Sequence, residues 1–349
     1  MKKKSIFSRD FFELTGCVHN HSEYSYDSSV PISKIILAAR NNELDYFTLN
    51  DHLNMQARDD RDFRNEKDIL IIAGSEINDK SNNNHFLVFD HSEIIKGEDA
   101  SKYSKYYFEN GVTCFAAHPF EKRICNKFRK YIWTDPENTN FHGLEIWNAV
   151  SEWVGKLSPK KNGVFLVFFS SFFIRKPFQK TLNYWDDLAK NNIRKAAIGS
   201  TDAHSITHKW MGLKLVFLTH KMLFKTIRTN VLLSASETPS QKSILKALRN
   251  GNSYIVNYKQ GNPYNFYAGI SDSKGKSAIF GEEIEYSENL KFYFRLPKIA
   301  KVVLIRSGKK IKTERDEKGY FDILGKGVYR LEITQLGRGW IYTNHIYVI

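Results

Sequence analysis

GCVHNHSEYSYDSS, residues 16–29, ends a short apolar run and then sets His19 and His21 one residue apart, with Asp27 six residues further on. The run reads as the end of a β-strand, and the polar residues read as the loop that leaves it. Neutral imidazoles and carboxylates are ligands of divalent transition metals, but several must converge before a cation is held. The same arrangement recurs along the chain. Asp51 and His52 follow FTLN, Glu76 follows IIAGS, His118 follows CFAA, and Asp202 and His204 follow AAIGST, while His85 opens the run HFLVFD.

Between these runs lie helical patterns such as PISKIILAARNNEL, with Pro31 at a first-turn position and apolar residues at helical spacing. From Leu14 to about Asn250 strands alternate with helices, which predicts an α/β layout with a largely parallel sheet or barrel. In a barrel of parallel strands every C-terminal strand end opens on one face, so groups placed there share one cavity. About seven such strands are present, enough to close a ring. Alternation along a strand also puts His19 with His21, and Asp202 with His204, on one face. Six of the eleven histidines belong to this set.

After residue 251 helical periodicity fades and short strand-like runs alternate with Gly, Ser, Asn and Pro, the pattern of a small antiparallel β domain, read as a sandwich. The expected division is therefore 1–255 and 256–349, joined by the helix SQKSILKALRN at 240–250.

The formal charge is +14, which means either a solvated basic surface or attraction for anions: phosphate esters, nucleic acid or an anionic membrane. No zinc finger, RRM or basic-region helix accompanies it, so a dedicated nucleic-acid-binding module is not expected. The three cysteines form no CxxC pair, which argues for reduced thiols. The basic N-terminus lacks an apolar stretch of the signal-peptide kind, and a cytoplasmic location is expected. GVFLVFFSSFFI, residues 163–174, is too short to span a bilayer and reads as core or pocket lining.

VHNHSEYSYD, LNDH, GSEI, AHPF and GSTDAH resemble, in order and spacing, the polymerase and histidinol phosphatase (PHP) superfamily of metallohydrolases, over roughly residues 14–250. GLEIWNA, KPFQKTLNYWDDL, ALRNGNSYI and WIYTNHIYVI resemble the branch that includes carbaryl hydrolases, in which a C-terminal β domain follows; His345 stands where that branch has proline. The resemblance implies a distorted seven-stranded β/α barrel with two or three divalent ions, zinc, manganese or iron. It implies one ion on His19, His21, Glu76 and Asp202, a second on His85 and His118 with Glu76 bridging, and a third on Asp27, His52 and His204. The expected activity is a metal-dependent hydrolase of phosphoesters that uses a metal-activated hydroxide. The alternatives are a carbamate or carboxylic ester hydrolase, or a non-catalytic metal-containing binding protein. The expected partner is a small anionic ester, with nucleic acid less favoured.

Asp51, beside a ligand, would orient an imidazole, relay a proton or cap its loop. Glu145 and Asn148 either line the cavity or bond to loop backbone. Lys122 and Arg123 either neutralise an anionic substrate or form a solvated basic loop.

Overall fold

A computed structural model describes residues 2–168, 170–210 and 213–349. Seven strands close into a ring: β1 (Arg9–Asn20), β2 (Tyr46–His52), β3 (Leu70–Ile77), β4 (Phe86–Phe89), β5 (Cys114–Ala116), β6 (Gly143–Asn148) and β7 (Ala196–Ala203). Each pairs with the next, and β7 returns to β1. All these pairings are parallel except the two made by β4, so the barrel is mixed. Reversal of β4 puts its N-terminal end at the mouth where its neighbours finish. Ile77 at the end of β3 stands opposite Phe86 at the start of β4, and His85 precedes Phe86.

The outer helices follow from their sequence patterns. Helix Ile32–Arg40 buries Ile32, Ile35, Ile36 and Ala39, one stripe of its surface, with Pro31 at the N-cap rather than inside the first turn. Helix Gln241–Asn250 begins with a Ser240–Ser243 capping box and ends at Gly251, whose φ of 74° suits glycine. Its Ile244 and Leu248 pack with Leu14, Val18, Ile198 and Val231. Gly16 in β1 permits a close approach: a Cβ there would lie 2.2 Å from the Tyr46 ring, which is held by its hydroxyl donating to the Thr229 carbonyl at 2.7 Å.

β1 is long enough to serve two structures. Its N-terminal half pairs with Lys2–Ile6 and Ile227–Ser234. The latter strand pairs with Ser253–Asn257, which pairs in turn with Arg338–Thr343 of the C-terminal β domain. That domain is largely antiparallel, with one parallel pair between Glu283–Ile284 and Ile346–Val348. Its core joins Phe266, Phe280, Phe292, Phe294 and Trp340 to Ile6, Phe11 and Tyr254. A division into 1–255 and 256–349 therefore leaves Ile6 and Phe11 packed across the boundary.

Arg330 of the β domain clamps Asp186, in helix Gln179–Lys190, through two hydrogen bonds of 2.8 and 2.7 Å. His345 adds Nε2 at 2.9 Å from Asp186 Oδ1 and stacks on Trp185 at 3.9 Å. In the apolar run 163–174, Phe165 and Phe172 are exposed and Ile174 is buried, while the side chains of 164 and 166–171 lie outside the described residues. Among the described residues no helix is long and apolar enough to cross a membrane.

Candidate metal centre

The nine sequence candidates for metal ligation come together at the mouth of the barrel, in three groups whose ligand atoms lie within 4.8 Å of one another. The groups are His19, His21, Glu76 and Asp202; then Glu76, His85 and His118; then His21, Asp27, His52 and His204. Simple strand alternation is not what aims the two pairs. His19 lies at a register irregularity between Val18 and Asn20, and His21 and His204 lie beyond their strands. His19 (φ 63°), Asp202 (φ 54°) and His118 (φ 25°) all adopt left-handed backbone, uncommon without glycine. Such conformations cost free energy and cluster at functional sites, where they redirect side chains.

Glu76 is the hub. Its Oε1 faces His85 Nδ1 at 2.7 Å and His118 Nε2 at 3.2 Å. Its Oε2 faces His19 Nε2 at 3.2 Å, His21 Nε2 at 3.4 Å and His52 Nε2 at 3.3 Å. Asp202 Oδ1 faces Nε2 of His19, His21 and His204 at 3.5, 3.2 and 3.4 Å. Asp27 Oδ2 faces Nε2 of His52 and His204 at 3.2 and 3.0 Å.

Hydrogen bonding on the far side of the rings tests whether these groups suit cations. His19 Nδ1 lies 2.7 Å from Glu145 Oε1, an acceptor, so that nitrogen carries the proton. His118 Nδ1 faces the Tyr131 carbonyl at 3.3 Å, with the same consequence. The Ser25 hydroxyl donates to Asp27 Oδ1 at 2.7 Å, so it accepts from His21 Nδ1 at 3.2 Å. His85 Nε2 donates to Asn82 Oδ1 at 3.1 Å. Four rings thus commit one nitrogen outward and turn the other toward Glu76 or Asp202, and Nε2 of His19 and His21 are buried with no hydrogen-bond partner. A lone pair facing a carboxylate is repulsive unless positive charge, a metal ion or a second ring proton, lies between them. Burial opposes charge on His118, yet the Glu76 carboxylate outweighs it and raises the pKa to about 9. Burial likewise pushes the Glu76 pKa up, but the surrounding imidazoles, His19 foremost, hold it well below the carboxylate range. The donor set therefore fits divalent transition ions.

Glu145 supports this array. One oxygen holds His19, and the other accepts from the His118 backbone N–H at 2.9 Å and from Asn148 Nδ2 at 3.0 Å. Asn148 also donates to Asp202 Oδ2 at 3.2 Å, leaving Oδ1 to the histidines. Of the two roles that sequence left open for Glu145 and Asn148, bonding to backbone is the one seen: Glu145 accepts from the His118 N–H and Asn148 from the Ser151 N–H at 2.8 Å, while both lie beneath the cleft rather than in its lining. The signal was a carboxylate inside the apolar strand GLEIWN, which demands a partner once buried.

Asp51 differs. It is buried and accepts from the Ser22 backbone N–H at 2.5 Å and the Ser22 hydroxyl at 2.7 Å, so it ties down the loop after β1 rather than orienting an imidazole. Burial pushes its pKa up to about 6, against the pull of the Ser22 bonds. Lys122 is exposed and lines a neighbouring groove, whereas Arg123 reaches the metal cleft with its charge paired to Glu121 at 2.7 Å. The cleft over the cluster measures about 370 Å³. Tyr26 stacks on His52 at 4.6 Å, Tyr131 packs on His85 at 4.8 Å, and the Arg129 guanidinium lies over Tyr131 at 5.3 Å.

Fold and site together define a mixed seven-stranded barrel carrying clustered His, Asp and Glu side chains able to hold metal. The family model described as the PHP domain matches residues 18–124, and the chain carries a PHP domain there. Asp202 and His204 lie beyond the matched stretch. No curated protein matches the chain. A solved structure described as "Crystal structure of Endonuclease Q complex with 27-mer duplex substrate with an abasic lesion at the active site" is similar at 14% identity and a TM-score of 0.42. The match covers 69% of this chain and 58% of that one, so the chain spans less than two thirds of that protein. The carbaryl-hydrolase branch finds no support in these comparisons.

Proposed function

We propose that the chain is a metal-dependent hydrolase of phosphoesters. The observation that carries this reading is the convergence of imidazole nitrogens on Glu76 and Asp202 at the floor of an open cleft. One ion would be held by His19, His21, Glu76 and Asp202, a second by Glu76, His85 and His118, and a third by Asp27, His52 and His204 with His21 adjoining. Divalent ions in such a site supply Lewis acidity and a source of hydroxide at neutral pH.

The chain's own side chains do the rest. Glu145 keeps the proton on His19 Nδ1, so Nε2 stays available, as outer carboxylates do in metal sites. Asn148 fixes one oxygen of Asp202 and so aims the other. Tyr26 and Tyr131 bound the cleft and hold the His52 and His85 rings in place. Arg129 lines the cleft and has no carboxylate partner among the described residues, which favours an anionic ester over a neutral one.

Full-length protein supplied with manganese, zinc or iron(II) should hydrolyse bis-p-nitrophenyl phosphate or p-nitrophenyl phosphate, and a chelator should abolish turnover. Turnover of p-nitrophenyl acetate alone would transfer the reading to carboxylic or carbamate esters. Metal bound with neither ester turned over would leave a binding protein.

A further inference from the structure

The metal cleft is the first of three that adjoin. Glu121 lines both it and a larger groove of about 810 Å³. Lys176, Pro177 and Gln179 line both that groove and a third cleft of about 490 Å³, formed with β-domain strands Lys291–Arg306, Lys309–Asp322 and Gly327–Gln335.

Charge along this path is strongly one-sided. The carboxylates that line the second and third clefts are Glu121, Glu152 and Glu332, and each is already paired, with Arg123 at 2.7 Å, with Lys156, and with Arg330 at 2.7 Å. In the groove, Lys122, Lys130, Arg175, Lys176 and Lys180 have no carboxylate partner among the described residues. Lys301, Lys310 and Arg315 are in the same position in the third cleft. Clustered like charges repel and destabilise the fold, so an anion that neutralises them is bound favourably. Between the cations the groove has an apolar floor that includes Phe120, Ile132, Pro177 and Phe178, with the Lys180 ammonium 4.7 Å from the centre of the Phe120 ring.

We propose that the three clefts form one track for single-stranded nucleic acid. Phosphates run along the cationic rim and bases lie on the apolar floor, the pairing of charge and stacking surface that unpaired strands use. One small phosphate ester would occupy one cleft and leave the other two unneutralised. A membrane surface is too flat to reach the floor of a groove. As a statement about substrate, the proposal rests on the hydrolase reading: water adds across one phosphodiester P–O bond, leaving one fragment with a phosphate end and the other with a hydroxyl end. As a statement about binding it does not.

The test is fluorescence anisotropy of full-length protein with a short oligothymidylate carrying phosphorothioate links, which resist cleavage, as a function of salt. Tight, salt-dependent binding is expected. Lys176→Glu/Lys180→Glu should weaken it at least about ten-fold and reduce the slope of log K against log salt by about 1.4, roughly 0.7 for each of the two lost phosphate contacts. Lys34→Glu/Lys67→Glu carries the same charge change outside the three clefts and should alter affinity less than about two-fold. Lys176→Gln/Lys180→Gln, a milder change, should fall between the two. Equal weakening by both reversals, no binding at all, or tighter binding to phosphatidylserine vesicles than to the oligonucleotide would overturn the track. Oligonucleotide binding without turnover of any small ester would instead count against the hydrolase reading and leave the track standing.

Discussion

His19 Nδ1 donates to Glu145 Oε1 at 2.7 Å inside the barrel, and neither side chain reaches solvent. The two residues are 126 positions apart, so the closed ring is what joins them. Glu145→Gln keeps the shape and removes the charge that anchors the imidazole proton. It should leave the circular dichroism unchanged and weaken metal retention by about ten- to hundred-fold, the usual effect of losing such an outer partner. Competition against a chelator of known affinity measures this. Unchanged metal affinity would remove Glu145 from the supporting role assigned to it.

Gly16 faces the Tyr46 ring too closely for any Cβ, and that ring is locked by its hydroxyl on the Thr229 carbonyl. Gly16→Ala should therefore destabilise the protein by roughly 1–3 kcal/mol, through overpacking rather than through the metal site. Urea denaturation reads the loss. The molecules that remain folded should bind as much metal as the wild type.

Asp186 couples barrel and β domain through Arg330. Burial raises the carboxyl pKa, but the two Arg330 hydrogen bonds and its charge outweigh that and hold it well below the usual range. A carboxylate depressed in the folded state stabilises above its unfolded pKa and loses that contribution as pH falls through the folded value. Asp186→Asn should thus cost about 3–5 kcal/mol at neutral pH, because it leaves Arg330 buried without its partner. The gap between wild type and variant should begin to close below about pH 4, where the unfolded carboxyl protonates. A gap that widens on acidification would contradict this account of the joint.

Much of the architecture could be read from the chain because most of the nine candidate ligands border an apolar run, where a charged or polar side chain must be compensated; Asp27, in the polar loop after His21, is the exception. The reversal of β4 could not, since FLVF has the same pattern in either direction. That reversal is why His85, at the start of its strand, reaches the mouth where the others stand at strand ends. Nor does residue type reveal that His19, His118 and Asp202 adopt left-handed backbone, because the irregularity between Val18 and Asn20 is imposed by pairing with β7. Asp51 shows the opposite risk. Its place beside His52 suggested chemistry, yet its partner is Ser22, fixed by the path of the loop after β1.

The most direct measurement is elemental analysis of purified full-length protein after incubation with manganese, zinc or iron(II) and gel filtration, alongside His19→Ala. At least two of the three ligand groups should be filled in the wild type, and the variant should lose at least one equivalent of metal with its circular dichroism intact. A folded wild-type protein that emerges free of metal under all three conditions would show that imidazole protons rather than metal ions balance the Glu76 and Asp202 carboxylates, and the metal centre would have to be abandoned.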